Sequence, residues 1–315
     1  MEQPSFLKKW MIAVRPFAFP ASTMSVIFGT VLAVTVGQAH FRPLPFVLAF
    51  LGMVLLHAGA NILGDVNDFK KGLDKVPTPV SGAVVRGYIS TGEALTASIV
   101  LLAIGAAIGL LLVYWVGTAV LWIGVAGILI GVFYTVGPIA LKYHRLGDLA
   151  VFLNFGILGS LGAWTVQTGE PSWVPAVWAI PMSMLVAAIL HANNWRDIST
   201  DTEGRIGTMA SLLGDRLSLP YYGVLVFGAF VCILVIVLLT NLAGLQPVMP
   251  YTFVITLLAL PLALKLWRKG RLRASPAQPL DFVALDGATA QLNLLFGLLC
   301  TGALLLDSLV VHLLR

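Results

Sequence analysis

Charged residues are scarce in this sequence of 315 residues, and this scarcity indicates its class. Asp, Glu, Lys and Arg together make up 10% of the chain, whereas hydrophobic residues make up 58%. A soluble domain carries roughly 25% charged residues, and the mean hydropathy here is +0.93. Such a chain has too few polar residues to cover a surface that faces water. The composition therefore excludes a soluble protein and predicts a membrane protein.

Cysteine and histidine are scarce as well, with 2 and 5 residues respectively. Both cysteines, Cys232 and Cys300, lie deep in apolar runs. A disulfide framework or a zinc–thiolate site requires several cysteines at suitable spacing, so neither is expected. A cleavable signal peptide is not predicted either, because Arg15 and Pro16 directly precede an apolar span.

Long apolar segments occur throughout the sequence. A helix needs about 20 predominantly apolar residues to cross the hydrocarbon core of a bilayer. This window predicts an all-α membrane protein of about nine transmembrane helices, in a single domain over residues 1–315. The predicted spans are 17–36, 44–63, 94–114, 117–137, 148–168, 174–193, 221–241, 248–267 and 290–312.

Four polar stretches separate these spans, and each follows an even-numbered span. The stretches are 64–93, 138–147, 194–220 and 266–289. They therefore emerge on the side of the amino-terminal tail, where all but two of the 19 Lys and Arg residues lie, the exceptions being Arg42 and Arg315. Because cytoplasmic loops carry an excess of Lys and Arg, the amino terminus and these connections are predicted to be cytoplasmic. The net charge of +5 reflects topology, so no nucleic-acid partner is predicted.

Two acidic clusters follow the second and sixth spans. Each has an Asn one turn before a carboxylate and a second carboxylate one turn later: Asn61, Asp65 and Asp68 in the first cluster, and Asn193, Asp197 and Asp201 in the second. Residues three or four apart are neighbours on one helix surface, where like charges repel. Mg²⁺ is typically held by one or two carboxylates plus substrate phosphates. Two facing stripes of this kind predict Mg²⁺ ions that hold a diphosphate. The alternative is that the acids solvate loop ends and pair with nearby Lys and Arg.

Basic side chains near the clusters are candidates for binding phosphate oxygens as charged donors. They are Lys70, Lys71, Lys142, Arg196 and Arg205. The positive-inside bias accounts equally for each charge taken singly. Lys142 is the strongest candidate, because its short connection from Tyr134 is otherwise nearly uncharged.

At these clusters the sequence resembles the UbiA superfamily of intramembrane prenyltransferases. That family has an Asn/Asp-rich motif after the second helix and an Asp-x-x-x-Asp motif after the sixth, which correspond here to 61–68 and 197–201. The stretch 134–142 is similar to the family's connection between helices four and five. The resemblance extends over nearly the whole chain and implies a ring of nine helices around a central cavity, with a cytoplasmic polar cap.

Three details resemble the menaquinone branch, the 1,4-dihydroxy-2-naphthoate prenyltransferases. They are Asn193-Asn194-x-Arg196-Asp197 followed by Thr200-Asp201, Asp68-Phe69-Lys70 followed by Gly72-x-Asp74, and Thr289-Ala290-x-Leu292 followed by Phe296-Gly297. The sequence departs from the usual pattern at Gly64, where the family generally has Asn, and at Asn293, where a His is common in this branch.

The resemblance implies a mechanism. Mg²⁺ bridges an allylic polyprenyl diphosphate to four carboxylates that are both metal ligands and catalytic residues, namely Asp65, Asp68, Asp197 and Asp201. The expected substrate-binding residues are Asn61, Lys71, Tyr134, Lys142, Asn193, Asn194 and Arg196. Neutralisation of the leaving group lets the carbon–oxygen bond ionise, and the electron-rich ring of an aromatic acceptor attacks the allylic cation. With dihydroxynaphthoate the ring carboxylate then leaves as CO₂, which gives a demethylmenaquinone precursor.

Other functions remain open at this stage. The same site chemistry serves 4-hydroxybenzoate, homogentisate, a chlorophyllide or haem as acceptor. An ion-coupled transporter is the alternative from another class, but its carboxylates would lie near the bilayer midplane. We expect an integral membrane protein, of the bacterial inner membrane, whose partners are the two substrates and the lipid bilayer. No obligatory protein partner is predicted.

Overall fold

A computed structural model describes residues 4–72, 82–137, 140–204, 206–273 and 284–314. Asp74 and Arg205, named above, lie outside the described residues. Within the described ranges the fold is all-helical, as the sequence predicts. The helices are α1 (Phe6–Val14), α2 (Pro20–Thr35), α3 (Pro43–Lys70), α4 (Thr91–Val116), α5 (Thr118–Thr135), α6 (Gly147–Val151), α7 (Gly159–Thr168), α8 (Trp173–Trp178), α9 (Ile180–Arg196), α10 (Ile198–Glu203), α11 (Met209–Leu242), α12 (Leu260–Leu272) and α13 (Leu285–Leu313).

The predicted spans coincide with these helices. Across the described ranges, seven helices or helix runs are long and apolar enough to cross a membrane, and an eighth is added if α1 and α2, bent by 51°, form one span. The predicted sixth span corresponds to α8 and α9, of which α9 has 17 residues. The predicted fold class, an all-α bundle with multiple membrane spans, is confirmed.

The ends of the long helices follow local chemistry. Ser90 and Glu93 form a reciprocal capping box at the start of α4, which satisfies two otherwise unpaired backbone amides. Gly117 alone joins α4 to α5. Its φ of 128° is a backbone conformation that residues with a Cβ avoid. Two long apolar helices thereby run side by side with almost no connecting chain.

Helix α2 packs closely against α7 through small residues. A Cβ on Gly29 would collide with the backbone carbonyl of Ser160, and Ser160 donates a 3.2 Å hydrogen bond to the Ser25 carbonyl. Small residues let backbones approach in membrane bundles, where packing replaces the hydrophobic effect between helices. Between α6 and α7 the chain forms a π-helical segment, Phe152–Leu158, a rare form that is frequent at functional sites.

The four polar connections meet at one end of the bundle, which we call the site end. Residues 143–145 and Gly207 pair as a short parallel bridge, with a 2.6 Å bond from the Arg145 amide to the Gly207 carbonyl. This bridge joins the connection before α6 to the connection before α11. Side-chain bonds described below join the ends of α3 and α9 to the same assembly.

Candidate active site

A cavity of about 700 Å³ opens inside the bundle toward the site end. Most of its wall is apolar and comes from α2, α3, α4, α5, α7 and the π-helical segment. Its polar lining includes Arg15, His57, Asn61, Asp68, Tyr134, Lys142, Asn154, Asn193 and Asp286. An apolar chamber with charged groups at one end suits a lipid that carries a polar head.

Helix α3 carries the first acidic cluster, of which Asn61 and Asp68 line this cavity. It continues two turns past the predicted span, so Asn61, Asp65 and Asp68 share one helix surface as expected. Arg15, in a left-handed conformation at φ 55°, forms an ion pair with Asp65. The second oxygen of Asp65, Oδ2, is buried and has no hydrogen-bond partner among the described residues. Asn61 donates a 3.0 Å bond to the Val14 carbonyl, which anchors the chain next to Arg15.

Asp68 is held by two donors from the connection between α5 and α6. Lys142 Nζ lies 2.6 Å from its Oδ2, and the Tyr143 hydroxyl donates to Oδ1 at 2.9 Å. Burial acts to lower the pKa of Lys142, but the adjacent Asp68 carboxylate and two tyrosines raise it above its usual value. Burial and Asp68 raise the pKa of Tyr143, which therefore stays a donor. Lys71 Nζ lies 3.4 Å from the centroid of the Tyr143 ring.

The second cluster lies at the junction of α9 and α10. Arg196, at the end of α9, binds Asp197 through two 2.8 Å bonds and Asp286 through a third 2.8 Å bond. Asn193 donates to the same Asp286 oxygen at 3.2 Å. One guanidinium therefore joins the second cluster to the first turn of α13 and fixes the Asp197 carboxylate.

Asp201 connects the two clusters electrostatically. Burial raises its pKa to about 7, the Lys142 ammonium opposes this shift, and the Asp197 and Asp68 carboxylates add to it. Its Oδ2 accepts a 3.4 Å hydrogen bond from Thr208. Asp201 therefore lies within electrostatic reach of Asp68 in the first cluster and of Lys142, the partner of Asp68.

The structure brings most of the predicted site residues to this end of the bundle. Asn61, Tyr134, Lys142 and Asn193 line the cavity with Asp68. The other predicted site residues in the described part of the chain lie outside the cavity wall, namely Asp65, Lys71, Asn194, Arg196, Asp197 and Asp201. Gly64 lines the cavity with open space around its missing Cβ, so the Asn common in the family would fit there.

Three further polar groups take part in the site. Tyr143 and Asp286 bind predicted site residues directly. The sequence offered a weak signal for Asp286, one of two carboxylates shortly before the last predicted span. His57 lines the cavity one turn before Asn61 on α3. The four-residue periodicity that identified the first cluster extends back to this histidine.

The donor set fits Mg²⁺ bound together with phosphate. In the described part of the chain, no three His, Cys, Asp or Glu side chains converge as a preformed metal cage. Mg²⁺ commonly uses only one or two carboxylates and completes its octahedron with water and substrate phosphate. The unpartnered, buried Oδ2 of Asp65 is an oxygen of the required kind.

The fold and the site define a helical membrane protein with an apolar cavity that has charged side chains at one end. The chain belongs to the UbiA prenyltransferase family, whose family model matches residues 23–285. The predicted enzyme class, a prenyltransferase, is therefore confirmed. The chain is an integral membrane protein with multiple apolar helices.

Named relatives and solved structures agree with this family. UbiA prenyltransferase domain-containing protein 1 of Homo sapiens is 31% identical over 291 residues, which cover 92% of this chain and 81% of the relative. The homolog of that protein in Drosophila melanogaster is 30% identical over 93% of this chain and 78% of its own length. A UbiA homolog from Archaeoglobus fulgidus bound to DMAPP and Mg²⁺ has a TM-score of 0.64 at 15% identity, covering 93% of this chain and 99% of that chain. The naphthoate branch stays a prediction.

Proposed function

We propose that the protein transfers a polyprenyl group from an allylic diphosphate to an aromatic acceptor in the membrane, with Mg²⁺ as cofactor. The observation that carries the proposal is the polar end of an otherwise apolar cavity, where Asp68 and Lys142 line the wall and Asp201 lies within electrostatic reach of both. Asp65, Asp68, Asp197 and Asp201 would hold the metal ions, which would neutralise the diphosphate as it leaves. The Archaeoglobus fulgidus homologs bound to GPP and Mg²⁺ and to DMAPP and Mg²⁺ support this assignment.

The basic residues stabilise the diphosphate in this proposal. In the absence of substrate, Arg15 and Lys142 neutralise Asp65 and Asp68. Asp65 and Asp68 would then be ligands of the metal–diphosphate complex, and Arg15 and Lys142 would contact its phosphate oxygens as charged donors. The apolar wall holds the isoprenoid chain and excludes water from the allylic cation.

For the acceptor we propose 1,4-dihydroxy-2-naphthoate, on the strength of the sequence details at 193–201 and 289–297. 4-Hydroxybenzoate and homogentisate are the competing acceptors. A panel of these three acids with geranyl diphosphate and Mg²⁺, analysed by chromatography and mass spectrometry, identifies the acceptor. The proposal for naphthoate fails if another acid of the panel is prenylated at a higher kcat/KM.

We also propose that the site end faces the cytoplasm, because the Lys and Arg residues concentrate there. The relatives named in the previous subsection are animal proteins. We therefore propose which side of the membrane the site end faces, and we do not propose a bacterial membrane. A cysteine placed at Ser5, labelled with an impermeant maleimide in sealed cells or vesicles, tests it. Labelling of intact cells from outside contradicts the proposal.

Two carboxylate substitutions test the reaction itself. Asp65→Asn and Asp197→Asn keep side-chain volume and remove one proposed ligand from each cluster. Loss of one preorganised charge-stabilising group typically costs about 10²–10³ in kcat, so we expect pyrophosphate release and prenyl transfer to fall to about 1% or less.

Asp215→Asn is the matched control for these variants. Asp215 lies near the site end, where it accepts hydrogen bonds from Trp195 and Arg273, and it belongs to neither acidic cluster. It should retain activity, and all three variants should elute as folded protein in detergent. Turnover at the wild-type level in both cluster variants would refute the assignment of these ligands.

A further inference from the structure

His57 lies in the wall of the main cavity without a role in the proposed metal and diphosphate site. The side chain is 4% exposed, on the same face of α3 as Asn61 and one turn further from the site end. Its ring stacks on Phe155 with a centroid distance of 4.4 Å and an interplanar angle of 27°. Phe19 packs against it at 5.5 Å. The imidazole therefore has a fixed position in the otherwise apolar part of the cavity.

Ser22 connects the imidazole to the backbone that precedes α2. His57 Nδ1 lies 2.8 Å from Ser22 Oγ, and Ser22 Oγ lies 3.2 Å from the Phe19 carbonyl, which can accept its hydroxyl proton. When Ser22 donates to that carbonyl, Nδ1 is the donor to Ser22 Oγ and Nε2 keeps its lone pair, since a neutral imidazole has one donor and one acceptor nitrogen. Nε2 forms no hydrogen bond to any described residue.

His57 lies on α3 further from the site end than the first acidic cluster. Asp65 and His57 are eight residues apart, which corresponds to about 12 Å along the helix axis. With the diphosphate and the allylic carbon near the carboxylates, as in the proposed function, an aromatic ring beside that carbon would direct its hydroxyl group to the imidazole.

We propose that His57 is a catalytic residue that binds the ring hydroxyl of the aromatic acceptor through Nε2 and accepts its proton. This inference rests on the proposed function and adds an acceptor subsite to it. As the proton moves to Nε2, the O–H electron pair enters the ring, and a nucleophilic ring carbon forms a bond to the allylic carbon. The electrons of the broken carbon–oxygen bond leave with the diphosphate. Loss of a proton, or of CO₂ where a carboxylate occupies that carbon, restores the aromatic ring.

The test compares a hydroxyl acceptor with its methyl ether, which has no proton to give. His57→Gln and His57→Phe are assayed with both acceptors and with geranyl diphosphate. A general base contributes about 10²–10⁴ in rate, so we expect turnover of the hydroxyl acceptor to fall about 100-fold in both variants. The slow turnover of the methyl ether and the KM for geranyl diphosphate should stay unchanged. Pyrophosphate with Mg²⁺ should still raise the melting temperature of the variants.

Two hydroxyl residues on α2 provide a matched pair. Ser22 and Thr23 both donate to the Phe19 carbonyl, but only Ser22 contacts His57. Ser22→Ala removes the oxygen that accepts from His57 Nδ1 in the proposed tautomer. It should lower turnover of the hydroxyl acceptor more than Thr23→Val does.

Different results would refute the role of His57 and the proposed function. If the wild-type protein is active and His57→Gln and His57→Phe retain its preference for the hydroxyl acceptor over the ether, the role of His57 is refuted. If one of the two variants does not fold, the other decides. If the wild-type protein transfers no prenyl group to any acceptor and Mg²⁺ with pyrophosphate does not stabilise it, the proposed function fails as a whole.

Discussion

Lys142 and Asp68, 74 positions apart in the chain, form an ion pair with 2.6 Å between Nζ and Oδ2. The pair connects the end of the second predicted span to the polar connection after the fourth. The Lys142 side chain is 21% exposed and the Asp68 side chain 7%, so water screens this attraction only weakly. A cation held in this way neutralises a buried carboxylate, and in the proposed function a metal–diphosphate complex would take its place.

Replacement of Lys142 tests this arrangement. Lys142→Met keeps the apolar stem and removes the charge. A hydrogen bond to a charged group is worth about 1.5–3 kcal/mol, which corresponds to about 10- to 100-fold in an equilibrium or rate. We therefore expect kcat/KM for the allylic diphosphate to fall by about that factor, measured by steady-state pyrophosphate release.

Lys71→Met is the matched control for Lys142→Met. Lys71 is exposed and contacts the ring of Tyr143, and it forms no ion pair with a carboxylate of the described residues. Loss of the Lys71 charge should lower kcat/KM for the allylic diphosphate less than loss of the Lys142 charge does. An equal loss in both variants contradicts a specific role for Lys142.

The guanidinium fork of Arg196 gives a second prediction. Its three bonds to Asp197 and Asp286 require a planar group with several donors, and a Lys ammonium does not reproduce this geometry. Arg196→Lys should therefore lower kcat about tenfold or more, on the basis of about 1.5 kcal/mol for one lost charged hydrogen bond. Arg42→Lys is the control, since Arg42 bonds a carbonyl at residue 166 far from the cavity mouth. Equal kinetics for Arg196→Lys and wild type would show that Asp197 does not depend on the fork.

Because the pKa of Asp201 is raised, we expect the stability of the folded protein to depend on pH and on Mg²⁺. Its pKa is raised from 3.8 to about 7 in the folded protein. A raised pKa means that its contribution to stability is full below pH 3.8 and is lost as the pH rises through 7. Without Mg²⁺, Asp201→Asn should therefore melt at a higher temperature than wild type at pH 8, and the difference should vanish near pH 4.

Mg²⁺ with pyrophosphate should reverse this order at pH 8. A ligand that binds only the folded state stabilises it by about 2.7 kcal/mol at 100 times its Kd, and wild type should gain more than the variant. Melting curves in detergent at both pH values, with and without Mg²⁺ and pyrophosphate, provide the measurement. If Asp201→Asn and wild type gain equally from the ligand, Asp201 is not a metal ligand.

The contact between α2 and α7 predicts a stability effect unrelated to chemistry. Gly29→Ala places a methyl group against the Ser160 backbone, where no side-chain rotation gives relief. Overpacking of a close contact costs about 1–3 kcal/mol. The melting temperature should fall by several degrees. Gly302→Ala on α13, where no atom lies within 4 Å of the added Cβ, should be neutral or slightly stabilising.

Much of the fold and part of the site were predictable from residues alone. Apolar length identified the helices, because a bilayer imposes one length on every span. The four-residue periodicity identified Asn61, Asp65 and Asp68 as one surface, because α3 continues without a break. The sequence did not reveal that Asp286 binds Arg196, because a contact across 90 positions has no local signature.

Composition and spacing by themselves determined a helical membrane protein with its polar connections on one side, because hydrophobic length and charge bias act locally along the chain. The tertiary structure decided which cation meets which carboxylate. It paired Arg15 with Asp65, Lys142 with Asp68 and Arg196 with Asp197 and Asp286. It also placed His57 in the cavity wall. These pairings depend on how helices pack side by side, and packing is a property of the assembled bundle that no single segment carries.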